Sequence, residues 1–373
     1  MQCPEVREEN RGTVYQSSGE SSTCQAADDT VEFLTGSGGS IMALEGWAVA
    51  LIVIGSILTI VALMSFVYYW CVLRYRVADT SVSMAGKTIV ITGASSGIGK
   101  ATALALARRG ARLILACRNE QKTAQVISEI KQAVPDGAEI LYRHLDLVSL
   151  KSVRSFAERI IREESKLDIL INNAGIGQKG RTEDGFDLMF GVNHFGPFLL
   201  TNLLLDLLRK SAPSRVVNLS SLAHRFSPAF DFTEFDKDDD SSAGGAVRYL
   251  RLASYPISKM AVNLFTRELG RRLADDSQVT VCSVHPGIVY TGAIDGALRR
   301  GSCRKLLIPL FRFLMRTPEA GAQCVIHCAI DESVRQHSGD YFVDCRPGNE
   351  GAMASDEALA KQLWEVSCQA TGL

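Results

Sequence analysis

The chain carries almost no net charge, since 40 Lys and Arg against 41 Asp and Glu leave -1 over 373 residues. So balanced a composition gives no electrostatic footprint for nucleic acid, and no nucleic-acid partner is expected. No internal repeat is visible, which leaves strand–helix alternation to organise the chain. The 10 cysteines are scattered, and a reducing cytosol would keep those beyond residue 73 as thiols, so a disulfide framework is not expected. Cys324, His327 and Cys328 fall at helical spacing but no fourth ligand stands near them. A partly buried helix face is the expected reading, and no metal site. The most telling absence is local: between Gly46 and Leu73 there is no charged side chain at all.

That uncharged run contains Ala48-Val49-Ala50-Leu51-Ile52-Val53-Ile54 and continues through Ile57-Leu58, Val61 and Phe66 to Tyr68-Tyr69-Trp70. At about 1.5 Å per residue it outspans a hydrocarbon core of about 30 Å, and Trp47 with Tyr68-Tyr69-Trp70 resembles an interfacial belt. Residues 46–73 therefore read as one transmembrane helix. A cleaved signal peptide is disfavoured by the long polar leader, and a buried core helix by the lack of a polar face. Arg74 and Arg76 come directly after the span, while Glu5, Glu8, Glu9, Glu20, Asp28, Asp29, Glu32 and Glu45 precede it against Arg7 and Arg11. The positive-inside tendency places the C-terminal remainder of the chain in the cytosol and a polar, disordered tail at 1–45 in the lumen. Residues 74–85 are a juxtamembrane linker.

Beyond the linker the residues turn to chemistry. The β-branched run Thr88-Ile89-Val90-Ile91 leads into Thr92-Gly93-Ala94-Ser95-Ser96-Gly97-Ile98-Gly99 and then a helical pattern. Strand, glycine-rich turn and helix in that order cradle a pyrophosphate, because glycines admit the backbone closely and the helix N-terminus presents free N–H groups. A second strand, 111–117, ends on Cys117 where an acid would bind ribose hydroxyls. Arg118 comes next, and its guanidinium suits a 2′-phosphate, so NADP(H) is favoured over NAD(H). Far downstream, Tyr255-Pro256-Ile257-Ser258-Lys259 puts a phenol and an ammonium on one helix face. A charge about 5 Å away at an effective dielectric near 20 is worth roughly 3 kcal/mol, or about two pKa units, and would favour the phenolate. Pro256 is expected in the first helical turn, where it removes no ladder hydrogen bond.

On these motifs the region 86–351 resembles the short-chain dehydrogenase/reductases, which implies a Rossmann-type α/β fold with one doubly wound parallel sheet. The resemblance implies that Asp146-Leu147 meets the adenine and that Asn172-Asn173-Ala174-Gly175 closes a strand over the cofactor. It makes Asn193, Ser221, Tyr255 and Lys259 the catalytic set. Pro286-Gly287-Ile288-Val289-Tyr290-Thr291 corresponds to the segment that holds the nicotinamide carboxamide, with Pro286, Gly287, Ile288 and Thr291 as contacts. Ala116-Cys117-Arg118-Asn119, Asn193-His194-Phe195-Gly196-Pro197-Phe198, Ser220-Ser221-Leu222-Ala223-His224 and Leu363-Trp364-Glu365-Val366-Ser367-Cys368 are similar to the membrane-bound, NADP-preferring retinol dehydrogenases. The endoplasmic reticulum is the membrane this implies. The acidic run Asp236-Lys237-Asp238-Asp239-Asp240 lengthens the Ser221–Tyr255 connection and leaves retinoid specificity open. Residues 352–373 are expected to form a docking helix.

The expected function is a single-pass, membrane-anchored oxidoreductase that moves hydride between NADP(H) and a lipophilic alcohol, aldehyde or ketone. A steroid or polyprenol dehydrogenase is the alternative within the family. A catalytically idle, membrane-tethered NADP-binding interaction protein is the alternative outside it. A homo-oligomer is compatible with the sequence, which does not specify the oligomeric state.

Overall fold

Runs of branched apolar residues at 88–92, 112–117, 169–172, 214–219 and 279–285 are suited to strands buried on both faces. The computed structural model of the chain describes residues 28–69, 75–135, 139–229, 245–274, 278–290 and 308–373. The tail before Asp28, Trp70, Arg74, the acidic run Asp236–Asp240 and Thr291 lie outside them. The strands are β1 (Thr88–Thr92), β2 (Arg112–Cys117), β3 (Ile140–His144), β4 (Ile169–Asn172), β5 (Ser214–Leu219), β6 (Val279–His285), β7 (Tyr341–Val343) and β8 (Arg346–Pro347). They form one sheet in the order β3-β2-β1-β4-β5-β6-β7-β8. Every pairing is parallel except the last, where Val343 faces Arg346 antiparallel. That edge hairpin turns on Asp344 and Cys345, both at positive φ (48° and 58°). A two-residue turn of this hand usually announces itself with Asn-Gly or Asp-Gly, and neither residue here is glycine.

The helices are α1 (Asp28–Tyr68), α2 (Gly97–Ala107), α3 (Glu120–Ala133), α4 (Leu150–Glu163), the short α5 (Leu188–Phe190), α6 (Gly196–Lys210) and α7 (Gly245–Arg272), with Ile308–Leu314, Pro318–Ile330 and Glu357–Thr371 after them. Alternation along the strands sorts the layers. Ile89 and Ile91 pack with α2 and the helix Pro318–Ile330, whereas Val90 between them packs with α4 and α6. The order of connection reverses at the β1/β4 boundary, so a crevice opens at the carboxyl ends of these strands. The closing helix starts on the Asp356 side chain, which accepts from Leu359 N (3.0 Å). It sets Trp364 edge-on against Phe198 at 5.0 Å, with the Arg272 guanidinium over the indole at 4.2 Å. An aromatic pair of this kind adds about 0.5–1.5 kcal/mol beyond its buried area.

Two expectations are corrected here. Residues 28–45, read as part of a disordered tail, fall within the helix α1 (Asp28–Tyr68). Pro256 lies inside α7 rather than in its first turn, because the helix already begins at Gly245. It has no N–H to offer the carbonyl four residues back, yet the helix runs on through it.

Within α1, Gly46–Phe66 has a mean hydropathy of 2.6 and none of it is buried in the protein. Its 21 residues rise about 31 Å. The other long apolar stretch, Leu188–Lys210, is 78% buried, as a core helix should be.

Candidate active site

The glycine-rich turn is held against the end of β4 by its neighbours. Asn173 Nδ2 donates to Thr92 O (2.8 Å) and Gly93 O (3.2 Å), and Ala174 N donates to Thr92 Oγ1 (3.0 Å). Two glycines have no substitute in this arrangement. Gly93 sits at φ 68°, and a Cβ on it would lie 2.8 Å from Ala174 Cα; a Cβ on Gly99 would lie 2.4 Å from Asn173 Nδ2. Ser96 occupies the N-cap of α2 without a side-chain cap, and its first turn holds no acid. Backbone N–H groups, the hydroxyls of Ser95 and Ser96, and no opposing carboxylate suit an anionic pyrophosphate.

At the end of β2 the Cys117 thiol is buried, and burial raises its pKa against hydrogen bonds from Thr123, Ala94 and Ser95. It packs under the turn and offers a ribose no carboxylate. Arg118 is exposed, with Nη1 3.9 Å from Asp146 Oδ2. Asp146 also accepts from Val148 N (3.0 Å), and Leu147 beside it is buried.

The four residues expected to form a catalytic set come together, Tyr255 and Lys259 from α7 and Ser221 and Asn193 from two other segments. Ser221 ends the connection after β5, where its Oγ accepts from Ala223 N (3.2 Å), and its hydroxyl is near enough to the Tyr255 phenol to act on its pKa. Lys259 is buried one turn further along α7, with Nζ donating to Leu219 O (2.7 Å) and lying 5.9 Å from the centre of the Tyr255 ring. Asn193 lies in a π-helical turn, Gly191–Phe195, a widened turn often found at functional sites. Its Oδ1 accepts from Ile176 N (2.8 Å), and its Nδ2 donates to Ile176 O (3.0 Å) and to Ser258 Oγ (3.0 Å). A Cβ on Gly175 would lie 3.3 Å from Lys259 Nζ and 3.4 Å from Asn193 Oδ1, so Gly175 leaves room where these groups meet.

The electrostatics differ from the expected tuning. Burial raises the Tyr255 pKa above its ordinary value, and the nearby Ser221 hydroxyl only opposes it. Burial also drops Lys259 to about 8. The ammonium is itself destabilised by the interior that was to make it a strong partner for the phenol.

Pro286, Gly287 and Ile288 come directly after β6. Gly287, at φ 85°, lies so close to Arg316 that a Cβ would come within 2.7 Å of its Cδ. Arg316 N donates to Ile288 O (2.8 Å), Tyr290 N donates to Arg316 O (2.9 Å), and Arg316 Nη1 reaches Asp344 (2.6 Å). Thr291 is outside the described residues. Among the described residues no cluster of metal-ligating side chains is present; Cys324 and Cys328 are buried on the helix Pro318–Ile330.

Sequence reasoning missed several supports. Ser258 gives its hydrogen to Tyr255 O (2.8 Å) and so accepts from Asn193; its position three residues after Tyr255 on one helix was the available signal. His285 accepts from Leu222 N (3.2 Å) and steadies the Ser221 connection, and nothing in the sequence marked it. Burial lowers His285 to about 4 and His194 to about 3. Since the unfolded value is near 6.5, the unfolded chain binds more protons below that pH, and stability falls as pH falls. Each histidine should cost about 1.4 kcal/mol per pH unit below about 6.5 until its folded value is reached. Thermal melts of the full chain in detergent between pH 7 and 5 should show this loss, and His285→Gln should reduce its slope. A flat profile would contradict the buried, neutral assignment.

Comparison with known proteins agrees with this geometry. The family described as short chain dehydrogenase matches residues 87–231 and 240–299. Human retinol dehydrogenase 11 is 44% identical over 299 residues, covering 80% of this chain and 89% of that protein. A solved structure of an uncharacterized protein from Mycobacterium paratuberculosis aligns with a TM-score of 0.59 at 32% identity, covering 80% of this chain and 98% of that one. A structure described as a short chain dehydrogenase from Escherichia coli CFT073, complexed with NADPH, aligns with a TM-score of 0.54 at 25% identity, covering 71% and 99%.

Proposed function

The chain belongs to the short chain dehydrogenase family, and from that membership we propose a membrane-anchored oxidoreductase that transfers hydride between NADP(H) and a lipophilic alcohol or carbonyl of the retinol/retinaldehyde kind. The observation that carries the reading is the convergence of Ser221, Tyr255 and the buried Lys259, whose Nζ stands 5.9 Å from the Tyr255 ring centre, in a chain whose glycine-rich turn suits a pyrophosphate. An idle binding protein has no need of all four groups of the set.

The bound nicotinamide supplies the hydride; the chain supplies everything else. Thr92 to Gly99 and the start of α2 would hold the pyrophosphate, Arg118 the 2′-phosphate, and Asp146-Leu147 the adenine. Asn173 to Gly175, Lys259 and Pro286 to Ile288 would hold the nicotinamide half. Ser221, with its oxygen fixed by Ala223 N, orients the substrate oxygen and polarises it. Tyr255 gives that oxygen its proton in reduction and takes it back in oxidation. A phenol raised by burial is a better proton donor to a strongly basic alkoxide than to a neutral carbonyl, which suits proton delivery late in the step. Lys259, near pKa 8, is close enough to neutral pH to exchange a proton with solvent. Asn193 fixes the backbone of Ile176 and, through Ser258, the turn of α7 that carries Tyr255.

The retinoid class is supported by the 44% identity to retinol dehydrogenase 11, and the anchor by the unburied apolar span Gly46–Phe66. The basic side of the span, with Arg76, favours a cytosolic catalytic domain on an endoplasmic reticulum membrane. Sealed microsomes bearing the full chain test both points, because NADPH added outside does not cross the bilayer. They should reduce all-trans-retinaldehyde with external NADPH faster than steroid ketones or polyprenals, without latency. Activity that emerges only after detergent would reverse the orientation, and preference for a steroid or polyprenal would replace the substrate class.

A further inference from the structure

A polar row crosses the sheet beneath the catalytic residues. Asn172 and Asn218 stand in register on β4 and β5. Asn172 Nδ2 donates to Thr201 Oγ1 (2.9 Å) and to Asn218 Oδ1 (2.8 Å). The neighbouring hydroxyl fixes which end of the amide is which. Thr201 gives its only hydrogen to Pro197 O (2.7 Å), so its oxygen can only accept from Asn172. Both amide hydrogens of Asn172 are thereby used. Its Oδ1 is an acceptor, is buried, and has no hydrogen-bond partner among the described residues.

His194 arrives at the same condition by another route. Ser367 gives its only hydrogen to Leu363 O (2.6 Å), so at 2.8 Å from His194 Nε2 it must accept. Nε2 therefore carries the ring proton, and burial keeps the ring from taking a second one. Nδ1 is left as an unprotonated acceptor, also buried and without a partner among the described residues.

Asn172 and His194 line one cavity together with Asn193 and Asn218. Its room for a water's centre is about 10 Å³, close to the minimum for a single molecule. Two buried acceptors on one small cavity require one occupant with two donors. A metal ion is the poorer occupant, since no carboxylate or thiolate lines the cavity to offset its charge. The geometry points to a binding site for one internal water molecule that donates to Asn172 Oδ1 and His194 Nδ1 and holds the π-helical turn of Asn193 against the end of β4.

His194 is the residue directly after Asn193 in that turn, and through Ser367 it also grips the closing helix Glu357–Thr371. Water, strand and closing helix thus meet on the segment that sets where Asn193 grips Ile176 and Ser258. His194 is a positioning residue in this arrangement. This water bonds to Asn172 and His194 and carries no proton of the reaction.

Crystals of the full chain in detergent, at a resolution that shows ordered water, should reveal one peak within about 3.2 Å of both atoms. A dry cavity, or a His194 ring turned so that Nδ1 meets a protein donor, would overturn the site. Independently of activity, the full chain labelled with ¹⁵N-histidine should show His194 Nδ1 unprotonated yet hydrogen-bonded; a protonated or unbonded nitrogen sinks the proposal. Two variants separate the two bonds of the ring. His194→Asn places an amide oxygen where Nδ1 stood and forgoes Ser367, whereas His194→Gln reaches Ser367 and leaves the water one acceptor short. His194→Asn should keep kcat within about twofold, and His194→Gln should lower it about fivefold, with KM for NADPH unchanged in both. Equal losses in the two variants, or losses that track thermal stability alone, would refute the positioning role.

Discussion

Tyr255→Phe is expected to lower kcat for retinaldehyde reduction by about a thousandfold, because it deletes the group placed to give the developing alkoxide a proton. The substitution keeps the ring, and the ring is what contacts the surroundings. Its Cδ2 lies 4.0 Å from where a Cβ on Gly177 would be, and Lys259 Nζ stands 5.9 Å from its centre. Only the phenol oxygen is lost, and the cost to stability should stay within about 1 kcal/mol. NADPH affinity should therefore change less than about threefold, since no cofactor contact is assigned to the hydroxyl alone. Fluorescence titration with NADPH beside steady-state turnover checks both halves. More than a few per cent of wild-type turnover would mean that another group, or water, delivers the proton. A parallel collapse of NADPH binding would mean that the phenol holds the cofactor rather than the substrate oxygen.

How much of this site was legible depends on the constraint each residue answers to. The turn Thr92–Gly99 could be read because its glycines answer to backbone geometry: Gly93 needs φ 68° and Gly99 an approach of 2.4 Å. The Tyr255–Lys259 pair could be read because helical spacing is written in the sequence, and the parallel sheet because strands buried on both faces are continuously apolar. The illegible part depends on partners distant in the chain. The contacts Asn193–Ser258, His285–Leu222 and His194–Ser367 span 65, 63 and 173 residues, and no local pattern records them. Pro256 misled for the opposite reason. Its local rule is strong, yet α7 begins at Gly245, well before Tyr255, and carries the proline in its interior. Spacing brings Tyr255 and Lys259 near each other on α7, whereas burial, a tertiary property that spacing does not record, raises the phenol and lowers the ammonium.

Cofactor choice should be decided at Arg118, and Arg118→Asp is expected to shift the ratio of kcat/KM values for NADPH and NADH by about a hundredfold toward NADH. Arg118 stands at the end of β2, 69% of its side chain exposed, and its ion pair with Asp146 is long at 3.9 Å. A surface pair of that kind is worth no more than about 1 kcal/mol. The guanidinium can therefore leave Asp146 for a 2′-phosphate at little cost, and a doubly ionised phosphate is the stronger partner. An aspartate at the same place would repel that phosphate and offer the ribose hydroxyls of NADH the acceptor that Cys117, buried under the turn, does not. Arg118→Ala separates the two effects: it should weaken NADPH without improving NADH, so that only the acid gains the second substrate. Stability should change little in either variant, because the side chain is exposed and packs against nothing in the core. If the ratio stays at its wild-type value in Arg118→Asp, another cation reads the phosphate and the assignment fails. If both cofactors lose equally, Arg118 supports the fold of the β2 end rather than recognition.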